Sequence, residues 1–362
     1  MKLIKQVKRT FGKDLDFVIF FVTNRCNSRC KHCFFWKELN KKGELSLEEI
    51  RKTFESIGKI RDVSLSGGEP ILRDDILEII DILVEKSKIQ SLSIPSNGLL
   101  PDKLFKISES IVKKYPKLKL LVNLSIDGPE KVHDSIRGVN GNFKKSVECA
   151  KKLIELRERH NNLYVNLNSV VINKNIDVLP EFMNYVKNNL DVDGHYFEVI
   201  RGDSKDKDFA IPSVEKLKDF YKIALDNEEF YFKKRFNKKR VGLNLGYKMT
   251  RRFYTGIINY LYIIQMKTIK GEKWPFRCLA GQTSLVIYPK GDVSVCELLP
   301  SIGNLRDYDF DMKKLINSDK WKEKLKMIKD IKCSCTHDCF IYNTINHTPI
   351  ARFFYVPCSS LK

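Results

Sequence analysis

The sequence predicts an α/β protein: a partial (β/α)6 TIM-like barrel followed by a small cysteine-rich domain. Over the first two hundred residues, six short β-branched or aromatic runs alternate with longer helical patterns. Such alternation is typical of a parallel sheet, and because a full barrel has eight strands, six units predict an incomplete one. Beyond residue 274, six of the ten cysteines follow in short, turn-rich stretches, which predict the second domain.

The predicted strands and helices follow one another in a regular order. The strands are Phe17–Val22, Val63–Leu65, Ser91–Ile94, Leu120–Ile126, Tyr164–Ile172 and Tyr196–Ile200. The helices are Ser46–Ile60, Arg73–Val84, Pro101–Lys114, Asn142–His160 and Val178–Asn189. Ser46 and Glu49 have the pattern of a capping box, which marks the start of the first helix. Because chemistry in β/α barrels sits on loops after the carboxyl ends of strands, we expect functional residues there.

The chain is predicted to have four segments. Residues 1–16 form an N-terminal segment, residues 17–212 the barrel, residues 213–273 a basic, aromatic and helical connector, and residues 274–362 the cysteine-rich domain. No stretch approaches the roughly 20 apolar residues that span a bilayer, and the N-terminus has no apolar core of a signal peptide. We therefore expect a cytoplasmic protein, in which ten cysteines are better explained as metal ligands than as disulfides.

A loop with three closely spaced cysteines follows the first predicted strand. Cys26, Cys30 and Cys33 have the spacing C-x3-C-x2-C. Thiolates are the usual ligands of iron–sulfur clusters, and three of them leave one iron of a four-iron cluster without a protein ligand. An open metal site can bind a substrate or cofactor. The alternative is a structural zinc site, which needs four ligands, and His32 is poorly placed between two of the cysteines to be the fourth.

This loop resembles the cysteine motif of the radical S-adenosylmethionine (SAM) superfamily, with His32 at the position that is usually aromatic. The resemblance continues in the family's order after the later strands, through the sequences SGGEP at 66–70, SNG at 96–98, SIDG at 125–128 and HDSIRG at 133–138. The resemblance implies that SAM is contacted by His32, Phe35, Ser66, Gly67, Gly68, Glu69, Pro70, Ser96, Asn97, Ser125, Asp127, Arg137, Asn168 and Val170.

The resemblance also implies a mechanism. Cys26, Cys30 and Cys33 would hold a [4Fe–4S] cluster whose open iron chelates the amino and carboxylate groups of SAM. One electron, from a donor such as a ferredoxin or flavodoxin, would split SAM into methionine and a 5′-deoxyadenosyl radical. That radical would take a hydrogen atom from the substrate. Arg137 would pair with the SAM carboxylate, for which the arginine fork is well suited.

The C-terminal cysteines resemble the SPASM/twitch extension of radical SAM enzymes, which holds auxiliary iron–sulfur clusters. Cys278 and Cys296 enclose the pattern C-x12-G-x4-C, and a contracted C-x-C-x3-C follows at Cys333, Cys335 and Cys339. The resemblance favours one auxiliary [4Fe–4S] cluster on four ligands, with Cys333 as a substitute for either of the last two: Cys278, Cys296, Cys335 and Cys339. Cys358 with Cys333 could hold part of a second cluster. A structural zinc is the alternative, because spacing alone does not separate zinc from iron.

The connector offers a hypothesis about the substrate. Residues 230–273 carry twelve lysines and arginines against one acid, and residues 256–264 form an apolar run. Such a segment suits an anionic membrane surface, and with it a lipid-linked or glycan substrate. The alternatives are an ordinary inter-domain helix pair and, for the substrate, a peptide.

A rival from another class is a cysteine-rich, zinc-containing nucleic-acid-binding protein, suggested by the ten cysteines and the net charge of +20. We expect no nucleic-acid partner, because the charge is not interleaved with the cysteine loops. This rival also leaves the SGGEP sequence at 66–70 and the SIDG sequence at 125–128 unexplained.

Overall fold

The computed structural model describes residues 10–12, 14–238 and 245–359. Most of the predicted N-terminal segment 1–16 and residues 239–244 of the connector therefore lie outside the described residues. Within the described ranges one sheet has nine strands: β1 (Phe17–Thr23), β2 (Asp62–Gly67), β3 (Ser91–Ser96), β4 (Lys119–Ser125), β5 (Leu163–Val171), β6 (Gly194–Val199), β7 (Ser284–Ile287), β8 (Asp292–Ser294) and β9 (Gly303–Asn304). Their spatial order is β6-β5-β4-β3-β2-β1-β7-β8-β9.

Helices connect and cover the strands. The described ones are α1 (Leu47–Ile57), α2 (Ile76–Ser87), α3 (Pro101–Lys114), α4 (Glu130–Arg137), α5 (Asn142–Arg159), α6 (Leu179–Asn189), α7 (Val214–Lys238), α8 (Leu245–Ile269), α9 (Met312–Ile316), α10 (Asp319–Asp330), α11 (Asp338–Asn346) and α12 (Val356–Cys358). Strands β1 to β6 pair in parallel with their neighbours along the chain. This is the predicted partial β/α barrel, whose functional edge lies at the carboxyl ends of the strands.

The strand sequences explain which face of the sheet packs against the helices. In β4 the side chains of Leu120, Val122 and Leu124 are buried, and they alternate with more polar positions. Polar side chains on the other face hydrogen-bond across the sheet: Asn123 donates to Ser93 Oγ at 2.7 Å, and Asn166 donates to Asn123 Oδ1 at 3.0 Å. The inside of the barrel is therefore polar at this level, which suits a polar ligand.

The predicted element boundaries hold with small shifts. Ser46 caps α1, and the capping box with Glu49 is present, as the sequence predicts. Helix α1 ends at Ile57 rather than at residue 60, because Gly58 leaves helical conformation with a φ of +80°. Helix α2 begins three residues later than predicted, because residues 70–72 form a separate 3-10 turn. Helix α4, which carries the HDSIRG sequence, is an addition to the predicted elements.

The apolar run of the connector is packed inside the protein. Within α8, Leu261, Tyr262 and Ile264 are at most 4% exposed, and the Tyr262 ring stacks on Tyr221 of α7 at 4.1 Å between centroids. Gly256 lets the C-terminal segment approach, since a Cβ atom there would lie 2.9 Å from the Val356 carbonyl oxygen. The apolar run is thus part of a helix pair, which is the alternative that the sequence analysis gives to a membrane-surface segment. Among the described residues, no helix has the length and apolar character needed to cross a bilayer.

The cysteine-rich region continues the barrel sheet instead of standing apart from it. Strand β7 pairs in parallel with the free edge of β1, from Phe17 opposite Ser284 to Phe20 opposite Ile287. The backbone amides of Asp16 and Phe17 also donate to the Thr283 carbonyl, at 3.0 and 3.1 Å. Strand β1 therefore has hydrogen-bonded neighbours on both edges, and the cysteine-rich region supplies one of them.

This pairing predicts that residues 1–273 do not form a stable domain by themselves. A chain that ends at residue 273 would expose the edge of β1, and an unpaired apolar edge strand promotes aggregation. We expect the truncated chain to be insoluble or to melt far below the full chain, measured by size-exclusion chromatography and thermal denaturation. Co-expression with residues 274–362 should restore solubility. A soluble, monomeric truncated chain with an unchanged melting temperature would contradict the expectation.

Candidate active site

A cleft of about 960 Å³, partly open to solvent, lies at the carboxyl ends of strands β1 to β6. It brings together fourteen of the residues that the sequence analysis assigns to the cluster and to SAM: Cys26, Cys30, His32, Cys33, Phe35, Ser66, Gly67, Gly68, Glu69, Ser96, Asn97, Ser125, Arg137 and Val170. Pro70, Asp127 and Asn168 do not line it. Residues more than a hundred positions apart in the chain thus share one cavity.

The cysteine loop is held in place by backbone contacts with the end of α4. The Arg29 amide donates to the Arg137 carbonyl at 3.1 Å, and the Lys31 amide donates to the Ile136 carbonyl at 2.9 Å. On the other side, the Cys26 amide donates to Asn40 Oδ1 at 3.0 Å. These bonds fix the loop that carries the three thiols at the mouth of the barrel.

The three thiols of this loop face the same cleft. Burial raises the pKa of Cys26 to about 12 and that of Cys33 to about 11, and the neighbouring thiols act in the same direction. Arg137 lies next to the third thiol, with a guanidinium nitrogen 3.7 Å from Cys30 Sγ. Buried thiols become thiolates when a metal binds and supplies compensating charge. The donor set of three thiols therefore fits a metal centre.

The arrangement fits an iron–sulfur cluster better than a single ion. Among the described residues, no three His, Cys, Asp or Glu side chains are grouped closely enough to hold one metal ion. In a four-iron cluster each thiolate binds a different iron, so the ligands stand farther apart than around one ion. Three thiols that line one open cleft fit such a cluster.

Gly67 and Gly68 allow the turn after β2 to pack directly against the cysteine loop. A Cβ atom at Gly67, where φ is +122°, would lie 2.2 Å from the Thr23 carbonyl oxygen, and one at Gly68 would lie 2.1 Å from the Arg25 carbonyl oxygen. The Gly68 amide donates to that Thr23 oxygen at 2.9 Å. Only glycine permits this approach of two backbones, which places the turn beside the thiols.

Glu69 is a buried carboxylate at the base of the cleft, with 1% of its surface exposed. Its Oε2 atom accepts a hydrogen bond from the Asn97 amide at 2.7 Å, whereas Oε1 lacks a well-aligned partner among the described residues. Burial raises the pKa of Glu69 to about 7, despite the opposing effect of its contacts with Asn97 and Ser96. A cationic group in the cleft would satisfy the open oxygen.

Arg137 and Asp127 form a buried ion pair, with Nε 2.6 Å from Oδ2. Burial raises the pKa of Asp127, but Arg137 and His32 outweigh that effect and hold it at about 2. Asp127 lies behind Arg137, outside the lining of the cleft, and its other oxygen accepts from the Val170 amide at 2.9 Å. The structure therefore places Asp127 where it orients Arg137, whereas the resemblance implies a direct contact with SAM.

A chain of polar and charged side chains leads away from the cleft, starting at Glu198 and Arg201 of its far wall. Asn168 donates to Glu198 at 2.8 Å, and Arg201 binds Glu198 at 2.7 Å and Glu297 at 3.1 Å. His337 Nε2 lies 2.5 Å from the same Glu297 carboxylate. Burial raises the pKa of Glu297, but Arg201 and His337 outweigh it and hold that pKa at about 2. Since Glu297 follows Cys296 and His337 lies two residues after Cys335, this chain joins the cleft to the C-terminal cysteines.

Four of those cysteines form a second group. Burial raises the pKa of Cys278 to about 11 and of Cys296 to about 12, and the Cys333 thiol acts in the same direction on Cys278, Cys296 and Cys335. Burial also raises the pKa of Cys335 and of Cys333. The four side chains fit one cluster with four protein ligands.

Cys339 and Cys358 lie elsewhere. Burial raises the pKa of Cys339, and its charged neighbours are Glu198 and Arg201 of the far wall rather than the other thiols. Cys358 is exposed and belongs to α12, which packs on α8. The neighbours of Cys339 thus differ from those of Cys278, Cys296 and Cys335, and which of Cys333 and Cys339 completes the ligand set stays a prediction.

The sequence analysis missed Arg201 and Phe34, both of which line the cleft. The Arg201 guanidinium stacks over the Phe34 ring at 4.9 Å. Arg201 directly follows the predicted strand Tyr196–Ile200, which is a signal for a functional residue, although it belongs to none of the family motifs. Phe34 has no comparable signal, since it lies beside Phe35 in an ordinary aromatic run.

Two family profiles match the chain. The radical SAM superfamily matches residues 20–186, and the SPASM family, described as an iron–sulfur cluster-binding domain, matches residues 278–340. The two matches contain the two cysteine groups of the structure. They favour iron–sulfur clusters over zinc at both groups and disfavour a nucleic-acid-binding zinc protein.

Curated relatives and solved structures agree with these profiles. The chain is 31% identical over 175 residues to the pre-heme d1 synthase of Dinoroseobacter shibae, covering 48% of this chain and 40% of that one. It is 25% identical over 292 residues to the antilisterial bacteriocin subtilosin biosynthesis protein AlbA of Bacillus subtilis, covering 79% of this chain and 56% of that one. The matches thus span about half the length of these relatives.

Among solved structures, anSMEcpe with bound AdoMet and the Cp18Cys peptide superposes with a TM-score of 0.59 at 20% identity, over 92% of this chain and 96% of that one. Streptococcus suis SuiB bound to the precursor peptide SuiA also gives a TM-score of 0.59, at 15% identity, over 90% of this chain and 69% of that one. These likenesses show a shared fold. The two profiles show that the chain contains a radical SAM domain at residues 20–186 and a C-terminal SPASM domain at residues 278–340.

Proposed function

We propose that this chain is an enzyme that cleaves SAM reductively and uses the product radical to abstract hydrogen from a substrate. The observation that carries the proposal is the single cleft that joins three thiols, the turn at Gly67 and Gly68, and Arg137. When bound there, a [4Fe–4S] cluster and SAM would supply the electron transfer and the bond cleavage. The protein's own residues bind, orient and shield these groups.

The residues around the cleft have distinct roles in this proposal. Cys26, Cys30 and Cys33 hold the cluster. The open oxygen of Glu69 accepts a hydrogen bond from the SAM ammonium group, which also compensates the buried charge of Glu69. Arg137, oriented by its 2.6 Å pair with Asp127, presents its remaining donors to the SAM carboxylate. Charge-assisted bonds of this kind are roughly twice as strong as neutral ones.

The second cysteine group holds an auxiliary cluster in this proposal, with four ligands: Cys278, Cys296, Cys333 and Cys335. Such a cluster would supply electron transfer to or from the substrate radical. Arg201 contributes by binding both Glu198 at the barrel edge and Glu297 beside Cys296. This ion-pair chain fixes the auxiliary loops relative to the SAM cleft.

We infer that the substrate is a peptide rather than a lipid. The apolar run of α8, which motivated the lipid hypothesis, is packed against Tyr221 of α7 and against the C-terminal segment near Val356. AlbA, whose match covers 79% of this chain, is named for bacteriocin biosynthesis, and both solved neighbours carry a peptide in their titles. Contact of residues 230–273 with an anionic membrane and a ferredoxin or flavodoxin as donor stay hypotheses.

The first experiment measures 5′-deoxyadenosine. We expect the anaerobically reconstituted protein to form it from SAM and a strong reductant, because the cleft provides both the cluster ligands and the SAM contacts. A variant with Cys26, Cys30 and Cys33 changed to alanine should form none. A variant with Cys149→Ala, a buried thiol of α5 outside the cleft, is the matched control and should keep its activity. Equal product from the triple variant and the wild type would contradict the proposal.

A second prediction concerns Glu69→Gln. In the folded protein without SAM the pKa of Glu69 is about 7, against 4.5 as its ordinary value, because burial opposes the charge. Ionisation of Glu69 therefore lowers the free energy of unfolding as the pH rises above 4.5. Above pH 7 the full loss is reached, on the order of 3 kcal/mol. We expect Glu69→Gln to raise the melting temperature of the SAM-free protein at pH 8.

The same variant should bind SAM more weakly. Loss of a hydrogen bond between charged groups corresponds to about 10-fold to 100-fold in affinity, measurable by calorimetry at pH 8. Glu78→Gln, at an exposed position of α2, is the matched control and should change neither quantity. Unaltered SAM affinity of Glu69→Gln would remove Glu69 from the binding site.

A third prediction concerns Arg201→Met. Breaking a buried ion pair leaves a charge uncompensated and destabilises by about 3 kcal/mol. Arg157→Met is the matched control, because Arg157 is a buried arginine that binds two carboxylates, Asp191 and Asp193, away from either cysteine group. We expect both variants to melt at lower temperature.

The reduction potential of the auxiliary cluster distinguishes Arg201→Met from Arg157→Met. Without Arg201, the Glu297 carboxylate beside Cys296 is less compensated, so adding an electron becomes harder. We expect the potential to become more negative in Arg201→Met, to stay near the wild-type value in Arg201→Lys, and to stay unchanged in Arg157→Met. Spectroelectrochemical titration measures it, and equal potentials in all three variants would contradict the role of Arg201.

A further inference from the structure

The auxiliary cysteine group reaches the protein surface at Cys333. This thiol is only half-buried, whereas Cys278 and Cys296 of the same group are buried. The Cys333 amide binds the Ile328 carbonyl at 3.0 Å, which places the thiol directly after helix α10. An electron donor or acceptor that approaches from solvent would meet the auxiliary cluster at this point.

Basic side chains surround that point. The Trp274 amide donates to Ser334 Oγ at 3.1 Å, and Arg277 donates to the Leu325 carbonyl at 3.3 Å, so the segment 270–277 lies against the end of α10. We call the exposed lysines and arginine of these two segments the basic surface: Lys270, Lys273, Arg277, Lys329 and Lys332. Lys273 precedes Trp274 and Cys333 precedes Ser334, so the hydrogen bond between Trp274 and Ser334 brings Lys273 close to Cys333.

The basic surface is not neutralised by the protein itself. Within the part of the chain that the structure describes, none of its five side chains forms an ion pair, and the nearby Glu272 is engaged with Lys267 at 3.5 Å. Asp330 is the exposed acid on the same helix end. Ile331, 51% exposed, lies between Lys329 and Lys332. A rim of charge around an apolar side chain is the usual anatomy of a protein-binding surface.

We propose that the basic surface docks a small acidic electron-carrier protein, which exchanges one electron with the auxiliary cluster. This inference rests on the proposed function, since it needs a cluster on Cys278, Cys296, Cys333 and Cys335. In the reducing direction the carrier loses one electron and the auxiliary cluster gains it, with no other reactant. Opposite charge on the partner steers its approach and fixes its orientation.

The charge and the position of the basic surface favour an acidic protein over a nucleic acid or an anionic membrane as the partner. A nucleic acid would need a longer basic track, and a membrane would need more apolar contact than one isoleucine. Neither would explain why the uncompensated lysines lie beside Cys333, a partly exposed thiol of the group. Weak electron-transfer complexes use small interfaces, for which five charges around Ile331 suffice.

The test isolates the auxiliary cluster. In the full chain with Cys26, Cys30 and Cys33 changed to alanine, only the auxiliary cluster is present, and its reduction is followed as loss of absorbance in a stopped-flow instrument. The probe is a reduced, purified acidic ferredoxin. We expect a reduction rate that falls with salt, and that falls about tenfold when Lys273, Lys329 and Lys332 are all changed to glutamate.

Two controls make the result specific. Photoreduced deazaflavin, a small reductant that needs no docking surface, should reduce both proteins at equal rates. Changing Lys131, Lys145 and Lys151, exposed lysines on helices α4 and α5, to glutamate alters the net charge equally and should leave the ferredoxin rate unchanged. If the triple variant loses its cluster, Lys273→Gln and Lys332→Gln should each slow the reaction by a smaller factor.

Three outcomes would overturn the proposal. The first is an unchanged rate of reduction by ferredoxin in the Lys273, Lys329 and Lys332 variants. The second is an equal loss of that rate in the Lys131, Lys145 and Lys151 control. The third is salt-sensitive binding of duplex DNA or anionic vesicles through the basic surface while the ferredoxin rate stays unchanged. The measurement is independent of SAM cleavage. Absence of 5′-deoxyadenosine from the wild type would therefore reject the proposed function without deciding the docking surface.

Discussion

Strand β1 is hydrogen-bonded along both edges, and the placement of both cysteine groups depends on this double pairing. One edge binds β2, whose end carries the turn at Gly67 and Gly68, and the other edge binds β7 of the SPASM region. The cysteine loop leaves the end of β1 itself. Because parallel neighbours end at the same edge of a sheet, the turn at Gly67 and Gly68, the cluster loop and the turn between β7 and β8 are brought side by side. Cys278 and Cys296 flank the other end of that hairpin. The two cysteine groups are therefore fixed by backbone geometry.

Ion pairs between side chains further stabilise the contact between the barrel and the SPASM region. Burying a carboxylate costs several kcal/mol unless an opposite charge lies next to it, and the wall between the two cysteine groups contains Glu198 and Glu297. Arg201 compensates both, and His337 adds a hydrogen bond to the second. The same side chains that stabilise the contact between barrel and SPASM region thus set the electrostatic field between the two metal sites.

Much of the site could be predicted because the residues that form it lie in short sequence segments. A buried strand followed by cysteines, or by two glycines and a glutamate, identifies a strand end, and all strand ends of a barrel meet in one place. The capping box at Ser46 and the strands near Val63 and Leu120 were predictable for the same reason. The position of Asp127 was not, because whether a carboxylate faces the cleft or supports Arg137 depends on the rotation of a side chain.

The sequence by itself determined the class of protein, the order of strands and helices, and the residues that surround the SAM cleft. These features depend on periodicity and on motifs a few residues long. Only the tertiary structure decided that β7 extends the barrel sheet, that Arg201 binds both Glu198 and Glu297, and that Cys339 lies near Glu198 and Arg201. Each of these depends on contacts between residues far apart in the chain. Spacing along the chain constrains such contacts weakly, because turns and helices of similar length can direct the same cysteine to different neighbours.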